Sequence, residues 1–106
     1  MNDERRSQKR IPFLVEVQWE GATGKHQART SDISQGGCFI DTVAQTTVGE
    51  ILLFKMRLPS GEPIELEGEV TYVAESIGFG VRFRDLGEED QKKIEWLVKA
   101  EESRKG

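Results

Sequence analysis

The segment Ile64–Tyr72 reads IELEGEVTY, and its alternation of apolar with acidic or polar residues decides the fold class. Successive side chains of an extended strand point to opposite faces, so this segment has one apolar face and one polar face. Gly68 stands in the apolar row, and a glycine inside a strand often marks the bend at a barrel corner. The segment therefore predicts a half-buried β-strand in which Tyr72 shares the row of Ile64, Leu66 and Val70.

The same two-residue period recurs along most of the chain, between turn signals such as Gly21–Gly24 and Pro59–Gly61. In the last such segment Ile77 belongs to the row of Phe79 and is predicted to face inward. The predicted strands cover Phe13–Trp19, Lys25–Ile33, Cys38–Asp41, Leu52–Leu58, Ile64–Tyr72 and Ile77–Phe83. Six short strands with regular turns predict a mainly β protein, a closed or nearly closed six-stranded antiparallel β-barrel.

The period changes near the C-terminus, where a helix is predicted at about 88–103. Ile94, Leu97 and Val98 fall on one helical face, while acidic residues begin the segment and basic residues end it, as the helix dipole favours. We expect this C-terminal α-helix to pack its apolar stripe on the barrel, over an opening. Trp96 lies off the stripe, where it is either a cap residue or a residue that docks a partner.

Composition indicates a single small binding module. The chain has 106 residues, of which 36% are hydrophobic and 32% charged. Cys38 is the only cysteine, so an internal disulfide is excluded, and its strand-like surroundings predict a small buried apolar side chain. His26 is the only histidine and no Gly-x-Ser-x-Gly sequence is present, so we predict no enzyme activity, no metal site and no cofactor.

No apolar run approaches the roughly 20 residues that cross a bilayer, so we expect no membrane insertion. The first residues also lack the apolar stretch of a secretory signal, which predicts a cytoplasmic protein.

Charge is distributed unevenly along the chain. Residues 1–10 carry a net charge of +2, whereas residues 11–106 carry −6. Such an acidic body disfavours general binding of DNA or RNA, which needs a basic face to displace counterions. Residues 1–10 contain no apolar side chain after Met1, so we predict a flexible N-terminal arm beside a domain formed by residues 11–106.

Two short motifs suit a guanine nucleotide that carries phosphates. Arg6 and Arg10 stand four apart in the arm, and their forked guanidinium groups match the O6 and N7 acceptors of guanine or phosphate oxygens. The second motif, Asp32–Gly37, reads DISQGG. Taken singly, the arginines also fit a solvated basic arm and the second motif a plain turn between strands.

Each residue of the second motif has a chemical role in this interpretation. The Asp32 carboxylate can accept hydrogen bonds from the N1–H and N2–H groups of guanine. The Ser34 hydroxyl and the backbone N–H groups near Gly36 and Gly37 can bind phosphate oxygens, and glycine permits close approach and positive φ.

With these motifs in this order, the chain resembles the PilZ domain family, bacterial receptor modules for cyclic di-GMP. The family signature is Arg-x-x-x-Arg followed by Asp/Asn-x-Ser-x-x-Gly, and this sequence meets it without a departure. The segment Gly78–Phe83, GFGVRF, also resembles the family's last barrel strand. The resemblance implies that the arm closes over cyclic di-GMP and signals to an effector protein. In similar proteins an arginine at the position of Arg5 favours a stacked pair of ligands.

Two other functions remain open. One is a PilZ-like adaptor that contacts proteins without binding nucleotide. The other is a small barrel that binds single-stranded nucleic acid, which would need exposed aromatic rings on one strand face. Phe13, Trp19, Phe54, Phe79 and Phe83 are all predicted to face inward. We expect a monomer or a weak homodimer.

Overall fold

The computed structural model describes residues 10–58 and 60–105. This part of the chain contains seven strands followed by one helix. They are β1 (Ile11–Pro12), β2 (Glu16–Gly21), β3 (Gly24–Ile33), β4 (Gly37–Asp41), β5 (Ile51–Arg57), β6 (Pro63–Ala74), β7 (Gly78–Arg84) and α1 (Glu88–Lys105).

Six of the strands close into an antiparallel barrel. The strand order is β3, β2, β5, β6, β7, β4, and β4 pairs back with β3. The ten-residue β3 closes the ring because one half pairs with β2 and the other half with β4. The two-residue β1 adds to the edge of β3 and pairs Ile11 with Ile33. The predicted six-stranded barrel is therefore confirmed, with one extra strand.

The inward rows of the strands form one hydrophobic core. Trp19, Phe54 and Phe79 are among the largest fully buried side chains, and each such burial contributes about 1.5–3 kcal/mol. Gly68 lies on an inward row, and a Cβ atom there would stand 2.6 Å from the ring of Phe54. The glycine therefore leaves space for that ring inside the barrel.

The helix packs on the barrel as its apolar stripe predicts. Ile94, Leu97 and Val98 are all buried in the barrel core. Lys93 Nζ also lies 2.9 Å from a carboxylate oxygen of Glu62, just before β6. Trp96 is 67% exposed and belongs to the outer face of the helix. Within residues 10–58 and 60–105, no helix has the length and apolar character needed to cross a bilayer.

The sequence predicts Tyr72 in the row of Val70 and Ile77 in the row of Phe79, but Tyr72 and Ile77 are exposed whereas Val70 and Phe79 are buried. Tyr72 is 47% exposed, because the pairing of β6 with β7 shifts register between Val70 and Tyr72. Ile77 is 64% exposed, because its N–H donates to the Ala74 carbonyl oxygen and thereby closes a turn before β7. Both predictions were wrong where the chain departs from regular pairing.

Candidate functional site

A register shift in β3 places Asp32 on the outer surface of the barrel. The partners in β4 change from Thr30–Ile40 to Asp32–Phe39, so one extra residue of β3 is accommodated between them. In a regular strand Thr30 and Asp32 would share a face. Here Thr30 is fully buried while Asp32 is partly exposed. The β-bulge therefore turns the carboxylate outward, as bulges near functional sites often do.

Arg10 and Asp32 are brought together on this surface. Arg10 Nη1 donates a hydrogen bond to Asp32 Oδ1 at 2.5 Å, and the two side chains are 42% and 31% exposed. Arg10 directly precedes β1, whose pairing with the end of β3 holds the chain at this position. A guanidinium has five N–H donors, and this is its only hydrogen bond within the described ranges. The group can therefore bind a further acceptor.

The turn after Asp32 is organised by Ser34. Ser34 is buried, and its Oγ accepts hydrogen bonds from the backbone N–H groups of Gly36 and Gly37, each at 3.2 Å. The Ser34 N–H in turn donates to the Gly37 carbonyl oxygen at 2.8 Å. The structure thus places the hydroxyl inside the turn, where it fixes the backbone next to Asp32.

The glycines of this turn serve packing against β7. A Cβ atom on Gly37 would collide with the carbonyl oxygen of Val81, and the Gly36 carbonyl accepts a hydrogen bond from the Phe83 N–H at 2.8 Å. Neither glycine adopts a positive φ. Close approach of the neighbouring strand therefore explains the absence of a side chain at Gly37.

Sequence reasoning missed three residues on the outer face of the barrel, which are Phe39, Tyr72 and Arg82. Phe39 pairs directly with Asp32, and its ring lies 5.9 Å from the ring of Tyr72 between centroids. Arg82 pairs in register with Gly37, and its guanidinium lies 3.1 Å from Glu69. Strand period alone could not find Tyr72, because the bulge in β6 reverses its face.

Cys38 lies directly beneath this surface, in register with Ile33. It is fully buried, and burial raises the pKa of its thiol to about 12, with a smaller contribution from the Asp32 carboxylate. The thiol therefore stays protonated, and the prediction of a small buried side chain is confirmed.

The predicted arm is described only at its last residue. Arg5 and Arg6 lie outside the described residues, so their places relative to Arg10 and Asp32 stay predictions.

Comparison with known families identifies the family of this chain. A sequence model of the PilZ domain matches residues 4–100 of the chain. The chain belongs to the PilZ domain family. The match includes the Arg-x-x-x-Arg pair and the DISQGG turn as well as the whole barrel. No curated protein sequence matches this PilZ domain significantly.

Solved structures similar to this PilZ domain show the same fold at low sequence identity. The PilZ domain of CeSA from a cellulose-synthesizing bacterium has a TM-score of 0.68 at 20% identity, covering 87% of this chain and 96% of that one. The Bacillus subtilis inhibitor of motility MotI/DgrA has a TM-score of 0.81 at 19% identity, covering 96% and 54%. Borreliella burgdorferi PlzA in complex with c-di-GMP has a TM-score of 0.58 at 18% identity, covering 90% and 36%. The chain therefore spans nearly all of the CeSA PilZ domain but about half or less of the other two chains.

Proposed function

We propose that this PilZ domain is a receptor for cyclic di-GMP, a binding module without enzymatic activity. The observation that carries the proposal is the Arg10–Asp32 pair on the outer face, directly beside the turn that Ser34 fixes. The pair offers guanidinium donors and carboxylate acceptors side by side, as the two edges of guanine require. The fold similarity to part of PlzA, whose structure is a complex with c-di-GMP, supports the same ligand.

Ligand binding has to compete with the ion pair already present. Both side chains are more than 30% exposed, and an exposed ion pair contributes only about 0–1 kcal/mol. Hydrogen bonds to charged groups contribute about 1.5–3 kcal/mol each. A few such bonds to base and phosphate therefore outweigh the loss or sharing of the Arg10–Asp32 contact.

In this proposal Ser34, Gly36 and Gly37 assist ligand binding indirectly, because they order the backbone next to Asp32. The Ser34 hydroxyl holds the N–H groups of Gly36 and Gly37 in a fixed turn, so the chain next to Asp32 is ordered before ligand arrives. In this proposal Arg6 and Arg5 come from the arm to the remaining phosphate and base acceptors. Closure of the arm then presents a new surface to an effector protein.

Calorimetric titration tests the proposal against its alternatives. Cyclic di-GMP, GTP and a short single-stranded oligonucleotide are each titrated into the purified protein. We expect cyclic di-GMP to bind in the micromolar range and the other two to bind at least tenfold more weakly. No heat with any of the three would favour the protein adaptor, and preferential binding of the oligonucleotide would favour the nucleic-acid barrel.

The same titration gives the stoichiometry. The arginine at position 5 leads us to expect two cyclic di-GMP molecules per chain, bound as a stacked pair. A fitted value of one ligand per chain would refute that expectation while leaving the receptor function intact.

A further inference from the structure

An exposed tryptophan lies on the outer face of α1, near the middle of the helix. Trp96 is 67% exposed, whereas Ile94, Leu97 and Val98 of the same helix are at most 4% exposed. Those three side chains hold the helix on the barrel, so Trp96 lies outside that contact. Aromatic side chains are enriched in protein interfaces, where they serve as central contacts. The fold therefore leaves a residue of this kind available to a partner.

A groove of about 500 Å³ opens beside Trp96. Leu58 and Leu97 make its base apolar, since both side chains are buried and line the groove. Lys93 and Glu62 line it as an ion pair, with 2.9 Å between Nζ and a carboxylate oxygen, so these two charges neutralise each other. The groove therefore has room for a large apolar side chain next to the Trp96 ring.

Two lysines flank Trp96 and are left without an acidic partner. Lys92 stands four residues before Trp96 and Lys99 three residues after it, so all three share one face of the helix. Both lysines are exposed, and neither forms an ion pair within residues 10–58 and 60–105. Glu89 also lines the groove, but one carboxylate against two ammonium groups leaves the surroundings of Trp96 positive.

This local charge indicates which kind of partner fits. A second copy of the domain would bring the same lysines against each other, and residues 1–10 also carry a net charge of +2. A membrane or a nucleic acid needs a larger basic cluster than two lysines. An acidic protein segment with a large apolar side chain satisfies both the lysines and the groove.

We propose that Trp96, Lys92, Lys99 and the adjoining groove, together the Trp96 surface, dock an acidic helix of a partner protein. The two lysines are seven residues apart, which is about 10.5 Å along α1. A helix packed antiparallel to α1 offers the same spacing when its sequence reads Glu-x-x-Leu-x-x-x-Glu, with the leucine in the groove and a carboxylate opposite each lysine. The Trp96 surface includes no residue of the candidate ligand site, so this inference goes beyond the proposed function.

The test uses a synthetic peptide of about 16 residues, long enough to form an isolated helix, with Glu-x-x-Leu-x-x-x-Glu at its centre and alanine or glutamine elsewhere. Its matched control has lysine in place of both glutamates. Binding is followed through the indole N–H NMR signal of Trp96, which is identified by its loss in Trp96→Phe. The other tryptophan, Trp19, is buried and provides an internal reference.

We expect the glutamate peptide to shift the Trp96 signal saturably and the lysine peptide to leave it unchanged. Trp96→Ala should weaken binding of the fluorescently labelled glutamate peptide about tenfold or more, as measured by anisotropy. The double variant Lys92→Glu, Lys99→Glu should reverse the preference between the two peptides. Leu53→Ala removes another exposed apolar side chain, on β5, and should bind like the wild type. All four residues are exposed, so the thermal melts of these variants should match that of the wild type.

The proposal is overturned if the two peptides bind equally well, or if neither moves the Trp96 signal. It is also overturned if the signal moves only when vesicles of phosphatidylserine and phosphatidylcholine are added, which would indicate a membrane surface. A shift that needs only a higher protein concentration would overturn it in favour of a second copy. None of these results bears on cyclic di-GMP binding, which the calorimetric titration tests separately.

Discussion

Replacing Asp32 by alanine should separate ligand binding from folding. In the free protein the change removes one exposed ion pair with Arg10, so we expect it to cost no more than about 1 kcal/mol of stability. In a domain of this size that lowers Tm by at most about 4–8 °C. In the complex the same change removes the acceptor for two guanine donors, each worth about 1.5–3 kcal/mol when the partner is charged. Because about 1.4 kcal/mol corresponds to tenfold in Kd, binding should weaken by about tenfold if one weak bond is lost and by about ten-thousandfold if two strong bonds are lost.

The assay is calorimetric titration with cyclic di-GMP, together with a thermal melt of each free protein. Glu65→Ala is a matched control, because Glu65 also forms an exposed ion pair on the barrel wall, with Lys55 at 3.5 Å. We expect Glu65→Ala to bind like the wild type. Asp32→Ala with wild-type affinity would refute the assignment of the carboxylate to the ligand. A loss of Tm much greater than expected would show that the Arg10–Asp32 pair is part of the folding core.

Two further predictions concern residues that stabilise the barrel, Glu50 and Gly37. Glu50 accepts hydrogen bonds from the Ala22 N–H at 2.6 Å and the Thr46 hydroxyl at 2.7 Å, and these bonds lower the pKa of its carboxyl below 4.5. A carboxyl whose pKa is lower in the folded protein than in the unfolded chain stabilises the fold at pH values above the unfolded pKa. That stabilisation is lost as pH falls through the folded pKa. Glu50→Ala should therefore lower Tm at pH 7, and the gap from the wild type should narrow below about pH 4.5; a gap that is constant with pH in thermal melts would contradict this account. Gly37→Ala should destabilise the barrel by about 1–3 kcal/mol, because its Cβ meets the Val81 carbonyl oxygen. Gly87→Ala is the control, because a Cβ atom at Gly87 would meet no atom within 4 Å. Chemical unfolding measures the stability of both variants. Equal losses of stability would argue against the close contact between Gly37 and Val81.

The regular parts of the fold could be predicted from sequence because they depend on local periodicity. Alternating side chains identified the long strands, and the 94, 97, 98 spacing identified the face of α1 that is buried. The bulges could not be predicted, because an extra residue in a strand is defined by its partner strand and leaves no mark in the period. For this reason the sequence predicts Tyr72 in the row of Val70, and its place next to Phe39 on the outer face was missed.

The sequence predicts which residues form the candidate site, but it does not predict all of their arrangement. The sequence predicts that Arg10 and Asp32 bind one ligand, and the structure brings the two side chains into contact. It did not indicate that β1 positions Arg10, since two residues are too few to show a strand period. It also did not indicate that the Ser34 hydroxyl bonds within its own turn, because a serine hydroxyl can bind backbone or ligand equally well.

The central claim is that Arg10 and Asp32 together hold cyclic di-GMP, and the arginine side-chain NMR signal tests it most directly. The Nε–Hε resonance of Arg10 can be assigned by its loss in Arg10→Lys and followed during titration with cyclic di-GMP. The account predicts a saturable shift of this resonance with a micromolar midpoint, absent in Asp32→Ala at the same ligand concentration. An Arg10 resonance that stays unchanged at saturating cyclic di-GMP would contradict it.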